Sequence, residues 1–196
     1  IRDRLTGVAR LTKDGQSVSG DTFSMINLPS GELLMALSDG MGSGTSAFDD
    51  SKNVIELLEQ MSEAGFSQTS AIRLINSLYM SDQEFENYAT LDISLINLYK
   101  GECSFLKNGA VGTYVLNQGK MYCIEGQSLP MGVVSDAEPY IGKMSLYPGD
   151  YVIMMTDGVA DMFSQERYNL EKFIKQIEIV NPGDMAQAIV LSLIHI

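Results

Sequence analysis

Two segments of this chain run an apolar strand straight into a hydroxyl residue, an aspartate and a glycine. They are Leu33-Leu34-Met35-Ala36-Leu37-Ser38-Asp39-Gly40 and Tyr151-Val152-Ile153-Met154-Met155-Thr156-Asp157-Gly158. Short apolar runs bounded by turn residues predict buried strands. A buried strand that ends on a carboxylate holds that oxygen on a rigid element. Glycine in the next position lets the main chain approach a ligand, since no Cβ stands in the way. Brought together, two such ends form an oxygen-lined site suited to a hard divalent cation. A third aspartate, in Gly20-Asp21-Thr22-Phe23, stands at the mouth of another strand-like segment. A single Asp-Gly pair more often marks a type I′ hairpin turn, and Asp14-Gly15 reads that way. The two strand ends differ. Asp39-Gly40 is followed by Met41-Gly42-Ser43-Gly44 and a helical pattern, and Asp157-Gly158 by Val159-Ala160-Asp161-Met162-Phe163, with no return strand behind either.

Composition narrows the classes. A chain of 196 residues, 45% of them apolar, is long enough to bury one real core and reads as one globular domain. Its net charge of −12 argues against a nucleic-acid surface, which needs a basic patch. The same charge repels phosphate, so a phosphorylated ligand would need bound metal to offset it locally. No apolar run approaches the ~20 residues that span a bilayer. The opening Ile1-Arg2-Asp3-Arg4 has neither an initiator Met nor a signal-peptide shape, so the chain reads as cut from something longer, with any membrane segment outside it. Cys103 and Cys123 stand outside any CxxC pattern and read as reduced structural thiols.

Along the chain, residues 7–28 read as two short strands joined at Asp14-Gly15. After Gly44, the positions Phe48, Val54, Ile55, Leu57, Leu58, Met61 and Ala64 fall on one helical face, with Gly65 as the stop. A second helix is predicted from Thr69 to Tyr79. From Tyr88 the text turns to strands: Leu91, Ile93 and Leu95 alternate with Asp92, Ser94 and Ile96, and strands follow at 103–106, 113–116, 121–125, 141–146 and 151–155. Two further helices are predicted at 171–179 and 185–193, with Asn181-Pro182-Gly183 as the break between them. The class is α+β, sheets packed together and covered by helices. Asp92 reads either as the polar face of an alternating strand or as a residue within reach of the metal site. Asp49 and Asp50 read as first-turn helix charges, Asp161 as solvated, and His195, the only histidine, as non-catalytic.

The order Ser19-Gly20-Asp21, Ser38-Asp39-Gly40-Met41-Gly42-Ser43-Gly44, Ala89-Thr90-Leu91-Asp92, Phe105-Leu106-Lys107-Asn108-Gly109, Leu129-Pro130-Met131-Gly132-Val133 and Met155-Thr156-Asp157-Gly158 resembles the PPM (type 2C) metal-dependent serine/threonine protein phosphatases, in particular their sporulation branch. The likeness runs from about Gly7 to Ala188. It implies a four-layer α-β-β-α sandwich of two mainly antiparallel sheets, with a two-metal site at one end. By that likeness Asp39 bridges two Mn²⁺ or Mg²⁺ ions, the Gly40 carbonyl binds one, Asp157 binds the other, and Asp21 sits in or near the same shell. Asp39 and Asp157 are then the residues on which catalysis depends. Oxygen donors of this kind suit Mn²⁺ or Mg²⁺ better than zinc, and two such ions can activate a water for in-line displacement at phosphorus.

Three departures stand beside the matches. Many members carry a histidine after the Asp-Gly pair, where this chain has Met41, as the sporulation branch does. The phosphate-gripping arginine ahead of the first acidic ligand has no counterpart between Lys13 and Asp21, and Lys13 is a weak substitute. The family closes with an acidic stretch and a last core strand, neither of which is present before Ile196. Leu191 to Ile196 reads as a non-native tail, which leaves residues 1–190 as the phosphatase domain.

The resemblance further implies a phosphorylated anti-anti-sigma factor as the protein substrate and a cytoplasmic location, at the membrane face if the full-length protein is anchored. No nucleic-acid partner is implied, and homo-oligomerisation is left open. The helix pair after Gly44 is implied to act as a switch on the Asp39-Gly40 loop, although a scaffold role fits the spacing equally. Two rivals remain at this point: a phosphatase fold with a broken metal site that acts as a binding module, and a stress-response phosphatase with another substrate.

Overall fold

The structure, a computed structural model, describes residues 6–10, 19–42, 44–81, 88–136, 138–164, 170–176 and 181–192. The first ladder is a hairpin. β1 (Asp21–Asn27) and β2 (Glu32–Asp39) pair antiparallel around Pro29-Ser30-Gly31. Gly31 has φ 84°, where a side chain would be strained, and its N–H donates to the Leu28 carbonyl at 2.9 Å. This turn sets the register, and a slip of one residue would send every side chain of β1 to the opposite face.

β3 (Leu91–Asn97), β4 (Glu102–Asn108) and β7 (Tyr140–Ser145) complete a five-stranded sheet in the order β1-β2-β3-β4-β7. The second sheet, of three strands, runs β6 (Lys120–Ile124), β5 (Thr113–Asn117), β8 (Tyr151–Ile153). Every pairing is antiparallel.

Three apolar clusters define four layers. The outer face of the large sheet (Leu34, Ala36, Leu91, Ile93, Leu106) packs on Val54, Ile55 and Leu58 of α1 (Thr45–Glu63) and Ile72 and Ile75 of α2 (Gln68–Ser81). Each of these leucines and isoleucines, buried from water, contributes about 1.5–3 kcal/mol. Between the sheets lie Leu33, Ile96, Phe105 and Val115. Beyond the small sheet, Phe163 of α3 (Asp157–Ser164), Ile174 of α4 (Leu170–Gln176) and Met185 and Ile189 of α5 (Pro182–Ser192) pack against Tyr114, Leu116 and Tyr151. The expected α-β-β-α sandwich is the observed one.

Gly65 follows α1 at φ 87°, as a glycine stop requires. Three readings need correction. Residues 6–10 carry no strand, and Asp14-Gly15 lies outside the described residues. Asp49 and Asp50 fall beyond the first turn of α1, and Asp50 is buried. Asn181-Pro182-Gly183 opens a helix: the Asn181 side-chain oxygen accepts from the Gly183 N–H at 2.8 Å and the Asp184 N–H at 3.4 Å, while Pro182 takes the first helical position, where its missing N–H is not needed. α5 runs through Leu191 and Ser192, and His195 lies outside the described residues. The two cysteines are free, Cys103 buried and Cys123 exposed.

Candidate metal centre

Register brings the first two aspartates together. Asp21, the first residue of β1, lies directly opposite Asp39, the last residue of β2. Opposed residues in an antiparallel pair share one face, so both carboxyl groups project from the same side of the sheet end. That side faces the second sheet, since Met25, Leu33 and Met35 of the same alternation lie in the inter-sheet core.

The Asp39 backbone is clamped by Thr90. The Asp39 N–H donates to Thr90 Oγ1 at 3.1 Å, the Thr90 N–H donates to the Asp39 carbonyl at 2.9 Å, and Ser38 Oγ donates to the Thr90 carbonyl at 2.7 Å. Beyond Asp39, the Gly40 N–H donates to the Gly20 carbonyl at 3.3 Å and the Met41 N–H to the Tyr88 carbonyl at 2.9 Å. The glycine also has a packing role. A Cβ on Gly40 would lie 1.9 Å from the Ala47 carbonyl oxygen, so it is the first turn of α1, pressed onto the loop, that requires glycine.

The third aspartate arrives from the other sheet, and by a different element. β8 stops at Ile153, and Asp157 is the first residue of α3 rather than the end of a strand. The Thr156 carbonyl accepts from the Val159 and Ala160 N–H groups at 3.1 and 3.0 Å. Its hydroxyl donates across the gap to Asp21 Oδ2 at 3.3 Å, and Ser19 Oγ donates to the same oxygen at 3.2 Å. Both hydroxyl residues that precede the Asp-Gly pairs are thus used, Ser38 on the backbone that supports Asp39 and Thr156 on a carboxylate. Gly158 has open space where a Cβ would stand.

Electrostatics is consistent with this proximity. Burial, then Asp21, then Asp157 push the Asp39 carboxyl up to about 7. Among the described residues, no ion pair involves any of the three. Among the described residues, no three His, Cys, Asp or Glu side chains stand close enough together to form a metal cage by themselves. The donors are oxygens alone, which suits a hard divalent ion better than zinc. A half-buried carboxyl flanked by two others, with no cationic partner, is what a cation would relieve.

Asp92 does not join this cluster. It is buried between the sheets, where Lys107 Nζ donates to Asp92 Oδ2 at 2.8 Å. Burial raises its carboxyl above the usual range, and Lys107 and Thr113 oppose that rise. It lies on the polar side of β3's alternation, but that side is dry. Asp161 is exposed.

Arg10 lies upstream of the Lys13–Asp21 stretch, and no local pattern in the sequence ties it to this end. Its guanidinium donates to the Ser19 carbonyl at 3.1 Å and to the Asp21 carbonyl, and sits 6.0 Å from the Phe48 ring centre of α1. Lys13 lies outside the described residues. Arg10, Asp21, Asp39, Gly40 and Asp157 line one cleft.

The fold is that of a PP2C-type phosphatase domain. A structure of the PP2C phosphatase domain and a regulatory-domain fragment of SpoIIE from Bacillus subtilis superposes with TM-score 0.88 at 31% identity, over 98% of this chain and 58% of that one. RsbX in complex with magnesium, at 22% identity, TM-score 0.63 and coverage of 88% and 87%, shares the fold alone. The chain belongs to the stage II sporulation protein E family, whose sequence model matches residues 29–195. It is 34% identical to the stage II sporulation protein E of Priestia megaterium over 97% of this chain and 33% of that protein. Against that of Bacillus subtilis (strain 168) the values are 36%, 79% and 19%. The chain thus spans a third or less of the curated relatives it matches. Among the described residues, no helix is long and apolar enough to cross a membrane.

Proposed function

We propose that this chain is a divalent-metal-dependent protein serine/threonine phosphatase domain, with Asp21, Asp39, Asp157 and the Gly40 carbonyl as its metal ligands. The observation that carries the reading is the meeting of three carboxylates from two sheets at one point with no cationic side chain paired to them. Two Mn²⁺ or Mg²⁺ ions held there would supply an activated water and positive charge against the phosphoryl oxygens. The chain's own residues prepare the site. Thr90 fixes the direction of Asp39, Ser19 and Thr156 orient Asp21, and exposed Arg10 places a positive group in a cleft of an otherwise acidic protein.

Family membership supports a regulatory phosphoprotein as substrate. By the resemblance this is a phosphorylated anti-anti-sigma factor met at the cytoplasmic face of the membrane. The contact of Ala47 with Gly40 gives α1 a direct hold on the ligand loop, which supports the switch reading of the helix pair.

The test is phosphate release from a phosphoserine-bearing anti-anti-sigma protein with Mn²⁺, Mg²⁺ or EDTA, for wild type and Asp39→Asn. Release that needs Mn²⁺ or Mg²⁺ and vanishes in the variant supports the reading. Metal-independent release would overturn the metal dependence, and no release beside tight substrate binding would replace the reading with the binding-module alternative.

A further inference from the structure

Where the two sheets meet at the metal end, three buried polar side chains form a closed triangle that nothing in the proposed chemistry uses. Lys107, fully buried, donates from Nζ to Asp92 Oδ2 at 2.8 Å, to the Val111 carbonyl at 2.7 Å and to Thr113 Oγ1 at 2.8 Å. The Thr113 hydroxyl in turn donates to the same Asp92 oxygen at 2.6 Å. Asp92 and Lys107 are direct partners on β3 and β4 of the large sheet, whereas Thr113 opens β5 of the small one. The triangle is therefore a polar bond between the sheets.

Its position follows from register. On the large sheet Leu37 pairs with Asp92, two residues before Asp39, and Thr90, two residues before Asp92, holds the Asp39 backbone. On the small sheet Tyr114 pairs with Ile153, so Thr113 stands at the end from which the chain continues to Asp157. The large sheet carries Asp21 and Asp39, and the small sheet delivers Asp157. Their separation depends on how the two sheets are set against each other at this end. Apolar contacts between sheets are non-directional and tolerate sliding, while a charged donor with three acceptors at hydrogen-bond distance does not. Stability alone gives little reason for the arrangement, since a buried ion pair is often no better than well-packed apolar side chains of the same volume.

We infer that Lys107, Asp92 and Thr113 are positioning residues that set the spacing between Asp39 and Asp157 and so the geometry of the metal site. This rests on the metal-site reading above. Thr113→Val removes only the cross-sheet hydroxyl and leaves Lys107 with Asp92 and the Val111 carbonyl. The expected result is Mn²⁺ affinity, measured by calorimetry on the 196-residue chain, weakened on the order of tenfold, with kcat on a phosphoserine peptide lowered and KM little changed. Thr113→Ser, which keeps the hydroxyl, restores both. The apolar triple variant Asp92→Leu/Lys107→Met/Thr113→Val keeps the fold without the triangle and shows the same weakened Mn²⁺ binding. Wild-type Mn²⁺ affinity and kcat in a folded Thr113→Val or triple variant, whatever its melting temperature, would overturn the inference. A wild-type chain that binds no Mn²⁺ removes the metal-site reading itself, and the inference with it.

Discussion

Asp39→Asn separates the electrostatic strain of the site from its chemistry. Burial and the two neighbouring aspartates raise the Asp39 carboxyl from 3.8 to about 7. Each pKa unit is 1.36 kcal/mol, so a shift of this size is worth about 4 kcal/mol if wholly retained. The group is only partly buried, and solvent screening reduces this to about 2 kcal/mol. The sign follows from linkage. A carboxyl raised in the folded state binds its proton more tightly there than when unfolded, so folding is disfavoured as pH rises from about 4 to about 7. In EDTA, wild-type stability should fall by about 2 kcal/mol across that window relative to Asp39→Asn, whose neutral amide does not titrate. At pH 8 the variant should melt about 4–8 °C higher, and the two should converge below pH 4. Urea denaturation of both proteins at several pH values, with EDTA, reads this directly. Added Mn²⁺ should stabilise wild type and leave the variant nearly unmoved. A variant less stable than wild type at pH 8 without metal, or parallel pH curves, would show that the three carboxylates do not repel one another as described.

Three further outcomes follow from particular contacts. Gly40→Ala places a Cβ against the Ala47 carbonyl and should lower the melting temperature by several degrees together with metal-dependent turnover, whereas Gly158→Ala meets open space within α3 and should stabilise by about 0.5–1 kcal/mol in thermal melts. Lys107→Met alone leaves the Asp92 carboxyl buried without its partner and should destabilise by about 3–5 kcal/mol in urea titrations, most of which a second change, Asp92→Leu, recovers. Asn76 is buried on α2 and holds the loop beyond Met131, accepting from the Gly132 N–H at 2.8 Å and donating to the Val134 and Ser135 carbonyls at 2.8 and 3.0 Å. Asn76→Ala should cost about 2–3 kcal/mol, and hydrogen exchange at Gly132 should rise with it.

The parts of this protein legible in its sequence are those decided within a few residues. The alternation of β3, the apolar face of α1, the stop at Gly65 and the two hydroxyl-Asp-Gly sequences are local patterns. Each showed in the text because side-chain period and backbone conformation are set nearby. The three aspartates were singled out for the same reason, as carboxylates at element ends. Which aspartates meet was a matter of register and layering. The Leu28–Gly31 turn sets Asp21 against Asp39, and the pairing of β8 with β5 brings Asp157 from the opposite sheet. Arg10 reaches the Asp21 backbone, and Thr90 the Asp39 backbone, only in the folded chain. The same holds for glycine: Gly40 and Gly158 follow the same Asp-Gly pattern, but the packing of α1 makes a Cβ intolerable at one and harmless at the other. Asp92, Lys107 and Thr113 look like ordinary polar positions in alternating strands. They become a buried bond between sheets because β3 and β4 are covered on both faces, a burial that no local window of sequence records.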